Sequence, residues 1–269
     1  MPEVSVIMGV YNCKNFKLLN ESVQSIIDQT YTDWEFIICN DGSTDNTLDE
    51  LKKISQLDER IKILSYDQNK GLETALNTCL KEATGKYIAR QDDDDISYPD
   101  RFEKEIDFLK NNPKYSWVGT IAKVYDDEGI YGTYKLVEKP EKKTFLWASP
   151  FLHPSVIFRK EALDACNGYR IGKELKRCED YDLFMRMYAA GMIGYNMQEE
   201  LYQYKVVRNN KKAYRPMKDR INEAKVRHYG FKKMGIGFRG IPYILKPIII
   251  GLIPRAVFNK IIEKKYSDK

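Results

Sequence analysis

At 269 residues, with 43% hydrophobic and 31% charged side chains, the chain suffices for one large domain, or one domain with an appendage, and its composition excludes a disordered polymer. The formal charge of +5 conceals an asymmetry: acidic residues dominate between Asp41 and Asp107, whereas Lys and Arg crowd the carboxyl-terminal region, a pattern suited to phosphate-rich partners, either nucleic acid or an anionic membrane. Five cysteines form no Cys-x-x-Cys pair and follow no metal-ligand spacing, which fits free thiols in a reducing cytosol.

The amino terminus enters an apolar run without a basic leader or a small-residue cleavage site, so no signal peptide is expected. Val4-Ser5-Val6-Ile7-Met8-Gly9-Val10 fits a central parallel strand buried on both faces. Leu19, Val23, Ile26 and Ile27 then recur at helical spacing. Phe36-Ile37-Ile38-Cys39 is a second buried strand, closed by the turn sequence Asn40-Asp41-Gly42-Ser43 with Thr44 as a helix cap. A polar helix, the strand Ile61-Lys62-Ile63-Leu64, and a helix from Leu72 that stops at Gly85 follow. Alternation of this kind predicts an α/β fold with a mostly parallel sheet. Ligands of open parallel sheets sit beyond the carboxyl ends of the strands. Three such ends are polar here, at Tyr11-Asn12, Asn40 to Ser43 and Gln91 to Asp95, which predicts one shared cleft.

The third of these ends follows the short strand Tyr87-Ile88-Ala89, where Arg90 and Gln91 lead into four consecutive aspartates. Adjacent carboxylates repel by up to ~4 kcal/mol per close pair at an effective dielectric near 20, so the cluster needs water or a cation. In an extended backbone Asp92 and Asp94 face one way and Asp93 the other, offering convergent oxygens to Mg²⁺ or Mn²⁺. By itself the tetrad reads first as a solvated acidic loop. Beyond Asp100 the pattern turns mixed. It has a helix with Phe102, Ile106 and Leu109, two strands between Trp117 and Tyr134, a strand Ser155 to Phe158, and a helix after Glu179-Asp180. The whole is expected to share one continuous sheet.

In order along the chain, these blocks resemble the family 2 glycosyltransferases, inverting sugar-nucleotide enzymes of the GT-A fold. The resemblance runs from about Val4 to Arg208. It rests on Val4 to Asn12, Asn40 to Asp45, Asn69-Lys70-Gly71-Leu72, Ala83 to Ala89 with the tetrad, Pro99-Asp100-Arg101, His153-Pro154-Ser155, and Glu179-Asp180-Tyr181-Asp182-Leu183. It implies a nucleoside-diphosphate sugar as donor, a UDP-sugar first, bound by Val10, Tyr11, Asn12, Asp41 and Gly71, and by Arg90, Asp92 and Asp93. It further implies Mn²⁺ or Mg²⁺ on Asp94 and Asp92, and catalysis by Asp180 with Glu179 beside it. Three departures stand out: Asp93 replaces a small residue, Asn40 replaces an aspartate, and Val207 stands where the family's metal-binding histidine can lie. The only histidines are His153 and His228.

The chemistry needs a cation for the leaving diphosphate, with Arg208 or the basic segment near Lys205 as a phosphate clamp, and a carboxylate base for the acceptor hydroxyl. Asp180 is also an ordinary first-turn residue of a helix, and Asp182 and Glu179 remain rivals for the base. A glycosyltransferase domain over residues 1–212 would precede a basic, partly apolar helical extension over 213–269. The run Ile241 to Pro254 is broken by Lys246, three prolines and a glycine, so it reads as an interfacial segment or a helix packed back on the domain, not a transmembrane span. The expected setting is the cytoplasm, peripherally at the inner face of the cytoplasmic membrane, where a glycan or lipid-linked acceptor would be met. A non-catalytic sugar-nucleotide-binding scaffold is the alternative. A nucleotidyltransferase lacks its Gly-rich triphosphate loop here, and the acidic cleft speaks against nucleic acid as a partner.

Overall fold

A computed structural model describes residues 1–208 and 215–253. The expected domain boundary at 212/213, and the basic residues from Arg255 to Lys265, lie outside the described residues.

Strands β1 (Val4–Val10), β2 (Trp34–Asn40), β3 (Ile61–Ser65) and β4 (Tyr87–Arg90) are mutually parallel in the order β3-β2-β1-β4. Helices α1 (Phe16–Ile27), α2 (Thr47–Ile54) and α3 (Leu72–Glu82) make the crossovers. The continuous apolar run of β1 is explained by burial on both faces. Val4, Val6, Met8 and Val10 join a core with Leu19, Val23 and Ile26 of α1, while Ile7 joins the core formed with Ala75, Leu76 and Cys79 of α3. Val10 lies opposite Asn40, and Ile7 opposite Arg90, so the polar ends of β1, β2 and β4 meet at one edge of the sheet.

The sheet continues beyond β4 through β8 (Ile157–Arg159), β6 (Trp117–Asp126), β9 (Gly194–Lys205) and β5 (Ile96–Ser97), with β7 (Gly129–Tyr134) as a hairpin on β6. Nine strands thus form one sheet, as expected. Two features escaped the sequence reading. The long β9 pairs in parallel with β6, but register shifts around Ile121 and the polar Gln198-Glu199-Glu200 hide its alternation. The strand expected from Ser155 begins only at Ile157, because His153-Pro154-Ser155 forms a 3-10 turn and Pro154 has no N–H for a ladder.

Helices α4 (Arg101–Asn111), α5 (Lys160–Ala165) and α6 (Glu179–Ala189) complete the domain, and α7 (Met217–Met234) and α8 (Ile241–Leu252) follow. Val226, Phe231 and Met234 of α7 share a core with Leu183 and Met187 of α6. Gly230 permits the close approach, since a Cβ there would fall 2.3 Å from the Met185 sulfur. Helix α7 is therefore packed on the domain. All five cysteines are free thiols.

The loop after β2 meets the segment before α3 so tightly that Gly42 is required twice over. Its φ is +66°, and a Cβ would sit 2.2 Å from the Gln68 carbonyl carbon. Gly42→Ala is expected to lower stability by roughly 1–3 kcal/mol, read from the midpoint of urea unfolding. An unchanged midpoint would mean that this contact is not rigid.

Candidate active site

At the β1 and β2 ends, the side chains sort into those that build the edge and those that face out. Asp41 is only 3% exposed. Its carboxylate accepts from Asn69 Nδ2 (2.7 Å), the Lys70 N–H (2.8 Å) and the Gly71 N–H (2.9 Å). Three of its roughly four acceptor directions are thereby taken, and Asp41 ties the 69–71 loop to β2. Asn12, with φ +46°, donates its N–H to Ser43 Oγ and accepts the Thr44 N–H at its side-chain oxygen, both at 2.9 Å. The Val10 side chain is buried, and the Tyr11 ring is half exposed at the mouth of this edge.

The acidic loop has a different construction from the extended run expected of it. Residues 93 and 94 form a turn, so the alternation argument for Asp92 and Asp94 does not describe this backbone. Beneath the loop lie two buried guanidinium groups. Arg90, 1% exposed, donates to the Gln91 carbonyl and to the Asp92 carboxylate. Arg101 donates to Glu105 (3.0 Å), Ser97 Oγ (2.8 Å), Gln91 Oε1 (3.3 Å) and the Arg90 carbonyl (3.2 Å). Gln91 in turn donates to the Asp95 carbonyl and Ser22 Oγ, and Ser22 donates to the Asp92 carbonyl. Arg90 thus faces inward, under Asp92, and not into the cleft.

Burial, then the charges of Asp94 and Asp92, push the Asp93 carboxyl up to about 7. Protein packed around Asp94, and then Asp92, raises its carboxyl to about 6, although the residue stays open to solvent. Asp95 is wholly buried and lies well above the usual carboxylate range because of burial, then Asp92 and Asp94. One of its oxygens accepts the Lys205 N–H at 2.8 Å, and the other has no hydrogen-bond partner. Among the described residues no three His, Cys, Asp or Glu side chains form a ready metal cage. What is present is a crowded group of oxygen donors, short of positive charge. That fits a hard divalent cation held by one or two carboxylates and completed by phosphate and water.

Across from the loop, Glu179 and Asp180 begin α6, whose N-cap is Cys178. Burial and the Asp180 charge lift Glu179 to about 7, and burial raises Asp180, on which the Ser149 hydroxyl and the Arg215 charge also act. Two tyrosines link this helix start to the tetrad. Burial raises the Tyr204 phenol, with Asp95, Asp92 and Asp180 adding to it. Burial likewise raises Tyr169, against Arg90, with Asp180, Glu179 and Asp92 adding. Both carboxylate groups therefore act on the same two rings. Asp182, a rival for the base, is locked in the interior by Arg170 (2.9 Å) and Arg186 (2.8 Å).

Other expected residues lie elsewhere. Arg208 forks onto Asp126 at 2.8 Å and pairs with Glu128, so it braces the β6–β7 hairpin and is not a phosphate clamp in this conformation. Lys205 pairs with Asp127 at 3.0 Å while its charge acts on Asp94. His153 is buried, held neutral by burial and by Arg90, and hydrogen-bonded to the Tyr169 hydroxyl at 2.7 Å. His228 is exposed on α7. Among the functional candidates, Tyr169, Tyr204, Ser149 and Asp95 had carried no weight individually. Asp95 was hidden inside the tetrad, Tyr204 opens the Tyr204-Lys205-Val206-Val207 segment in which attention falls on Val207, and Tyr169 and Ser149 come from loops with no local pattern to flag them. A larger cavity of about 460 Å³ lies at the far end of α6, lined by Tyr115, Tyr188 and Met192 but by no tetrad residue.

Comparison with known proteins identifies the family and the fold. Residues 5–172 match the model of glycosyl transferase family 2. The Bacillus subtilis protein EpsE, described as a glycosyltransferase, is 39% identical over 271 residues, covering 100% of this chain and 96% of that protein. An Escherichia coli UDP-Gal:α-D-GlcNAc-diphosphoundecaprenol β-1,3-galactosyltransferase is 29% identical, with 98% of each chain covered. Among solved structures, Staphylococcus aureus TarS in complex with UDP-GlcNAc superposes with a TM-score of 0.70 at 18% identity, over 91% of this chain and 73% of that one. The Pyrobaculum calidifontis mannosyltransferase PcManGT, in complex with GDP-Man and Mn²⁺, gives 0.63 at 20% identity, over 96% and 71%.

Carboxyls whose pKa values rise on folding bind more protons in the folded state. Those of Asp93 and Asp94 therefore lower stability as pH rises from about 4 to about 7. A cation on this loop offsets that loss but must displace the same protons. Mn²⁺ is expected to raise the melting temperature more at pH 7.5 than at pH 5.5, measured by calorimetry. An equal rise at both pH values would contradict the assignment to these carboxyls.

Proposed function

The chain belongs to glycosyl transferase family 2 and is a glycosyltransferase of GT-A fold, and from that premise we propose that it is an inverting, metal-dependent enzyme using a UDP-sugar. Its acceptor would be a hydroxyl of a glycan or lipid-linked oligosaccharide in surface-polysaccharide assembly. The E. coli relative, by its name, acts on a diphosphoundecaprenol-linked sugar, and TarS binds UDP-GlcNAc. What supports the reading is that the Asp92 and Asp180 charges both act on the Tyr169 and Tyr204 phenols, as they would if the two carboxylate groups bordered one hollow.

In this reading the half-exposed Tyr11 stacks on the uracil. Asn12 and the remaining acceptor direction of Asp41 meet its polar edge, beside the backbone of Val10 and Gly71. Asp92, steadied from below by Arg90, faces the ribose, with Asp93 behind it. Asp94 and Asp92 would hold Mn²⁺ or Mg²⁺, which when bound would supply Lewis acidity to the diphosphate. Asp180 takes the proton of the acceptor hydroxyl as that oxygen bonds to the anomeric carbon, the bond from that carbon to the diphosphate breaks, and UDP departs. Attack opposite the leaving group inverts the anomeric centre. Burial raises the Asp180 carboxyl, which strengthens it as a base, and its charge in turn raises Glu179.

The outer face of α8 supports a seat for such an enzyme at a membrane surface. Ile241, Leu245, Ile249 and Leu252 form one exposed apolar stripe, with Phe238 just before it and Arg239, Lys232 and Lys233 nearby. No helix among the described residues is long and apolar enough to cross a membrane. We place this stripe in the plane of an anionic membrane, at its cytoplasmic face.

Two experiments test these assignments. Asp180→Asn should keep Mn²⁺-dependent UDP binding while turnover falls roughly 10²–10⁴-fold, whereas Asp94→Ala should lose metal-dependent UDP binding by calorimetry. Equal loss of UDP affinity in both variants would contradict the division of labour. The double variant Leu245→Glu, Ile249→Glu should leave the pellet when spun with phosphatidylglycerol vesicles, with its melting temperature kept. Unchanged sedimentation would rule out the stripe as the membrane contact.

A further inference from the structure

Beside Asp180 lies a cavity of about 160 Å³ whose lining includes Ser149, Arg177, Asp180, Arg215, Glu223 and Arg227. At ~30 Å³ per water that is room for about five waters, or for one tetrahedral anion. Three guanidinium groups face two carboxylates there. Arg227 is committed, donating to Glu223 (2.9 Å), the Leu146 carbonyl (2.9 Å) and the Trp147 carbonyl (3.1 Å). Among the described residues Arg215 gives only Nη1 to Glu223, at 3.1 Å. Arg177 makes no hydrogen bond or ion pair among the described residues.

The backbone of Arg177 adds an independent sign. Its φ is +65°, the left-handed region in which a long side chain is strained by about 1 kcal/mol or more. The strained residue directly precedes the N-cap of α6, two positions before Glu179. A glycine would relieve the strain, yet an arginine stands there, solvent-exposed at the mouth of the cavity and without a hydrogen bond or ion pair among the described residues. Planar guanidinium forks bind phosphate and carboxylate in pairs of hydrogen bonds.

The donor's diphosphate is not the ligand. In an inverting transfer the leaving group and the attacking hydroxyl lie on opposite sides of the anomeric carbon, and this cavity adjoins the base, on the attacking side. The surface beyond it is aromatic, with the Lys246 ammonium 4.6 Å from the centre of the Trp147 ring. Trp147, 62% exposed, meets Tyr243 of α8 edge-on at 5.2 Å between ring centroids. Its carbonyl accepts from both Arg227 and Lys246, joining the cavity wall to α8 and its apolar stripe.

We propose that this cavity is a phosphate subsite for the acceptor. Arg177 and Arg215 hold a phosphoryl group attached to the acceptor sugar, with the hydroxyl of that sugar at Asp180 and an alkyl chain leaving over Trp147 toward α8. The proposal rests on the transferase reading and narrows it: the acceptor is a phosphate-linked amphiphile, not a free neutral glycan.

The test is calorimetric titration of decyl diphosphate into the full chain already saturated with UDP and Mn²⁺. Arg177→Gln and Arg215→Gln should each weaken binding at least about tenfold and change UDP affinity less than about twofold. Arg177→Gly should also lose decyl diphosphate while melting higher than the parent, because it relieves the backbone; a purely structural arginine would not separate the two. Equal decyl diphosphate affinity in parent and variants would overturn the subsite. Inorganic pyrophosphate binding as tightly as decyl diphosphate would overturn the lipid part, and tighter binding of octyl glucuronide would assign the arginines to an acidic sugar instead. Failure of UDP itself to bind would count against the donor reading alone. The same titration in EDTA without nucleotide would still report whether Arg177 holds the phosphate.

Discussion

Two guanidinium groups sealed under an acidic loop are the constraint on which the rest of the cleft depends. Four consecutive aspartates repel one another, and three of them have carboxyls pushed upward by burial and by their neighbours. Arg90 and Arg101 oppose this from below, where they also supply hydrogen bonds to Gln91, Ser97 and the loop's own backbone. A buried charge left without its partner costs ~3–5 kcal/mol, so Arg101 and Glu105 are bound to each other as much as to the loop. The arrangement stores the acidic residues in one shape and leaves their outer oxygens short of positive charge. That shortage is what a cation and a diphosphate would fill.

The same core carries the opposite wall. Helix α6 is held by Asp182 between two arginines, by the aromatic cluster around Trp117 and Phe184, and by α7 closing over Met185. Glu179 and Asp180 begin this anchored helix. Because α7 shares that core and packs against α8, the apolar stripe and the candidate acceptor cavity are joined to the helix that carries Asp180. A substrate that is part sugar, part phosphate and part hydrocarbon would find those three surfaces in the matching order.

Much of this was legible in the sequence, and the exceptions have physical causes. Val4 to Val10 and Phe36 to Cys39 read as buried strands because both faces of the sheet are covered, and the polar residues at their ends marked the cleft edge. Length and spacing also marked α3, α4 and α6. Hidden features depend on partners remote in the chain. Strand β9 has a broken alternation and is fixed only by β6 and β5. Whether Arg90 turns inward or Arg208 turns away is decided by Asp92 in one case and by the hairpin carboxylate of Asp126 in the other. Asp41 looked like a ligand residue, yet its first task is to hold the 69–71 loop, a contact across about thirty positions that no local pattern announces.

The central claim is that a divalent cation sits on the Asp92–Asp94 loop with the donor's diphosphate between it and Asp180. Anomalous diffraction at the manganese edge, from crystals grown with UDP and Mn²⁺, measures this directly. The account predicts one strong peak within coordination distance of Asp94, with the UDP phosphates on the side that faces α6. A peak away from the loop, or phosphates on the side turned from Asp180, would contradict it.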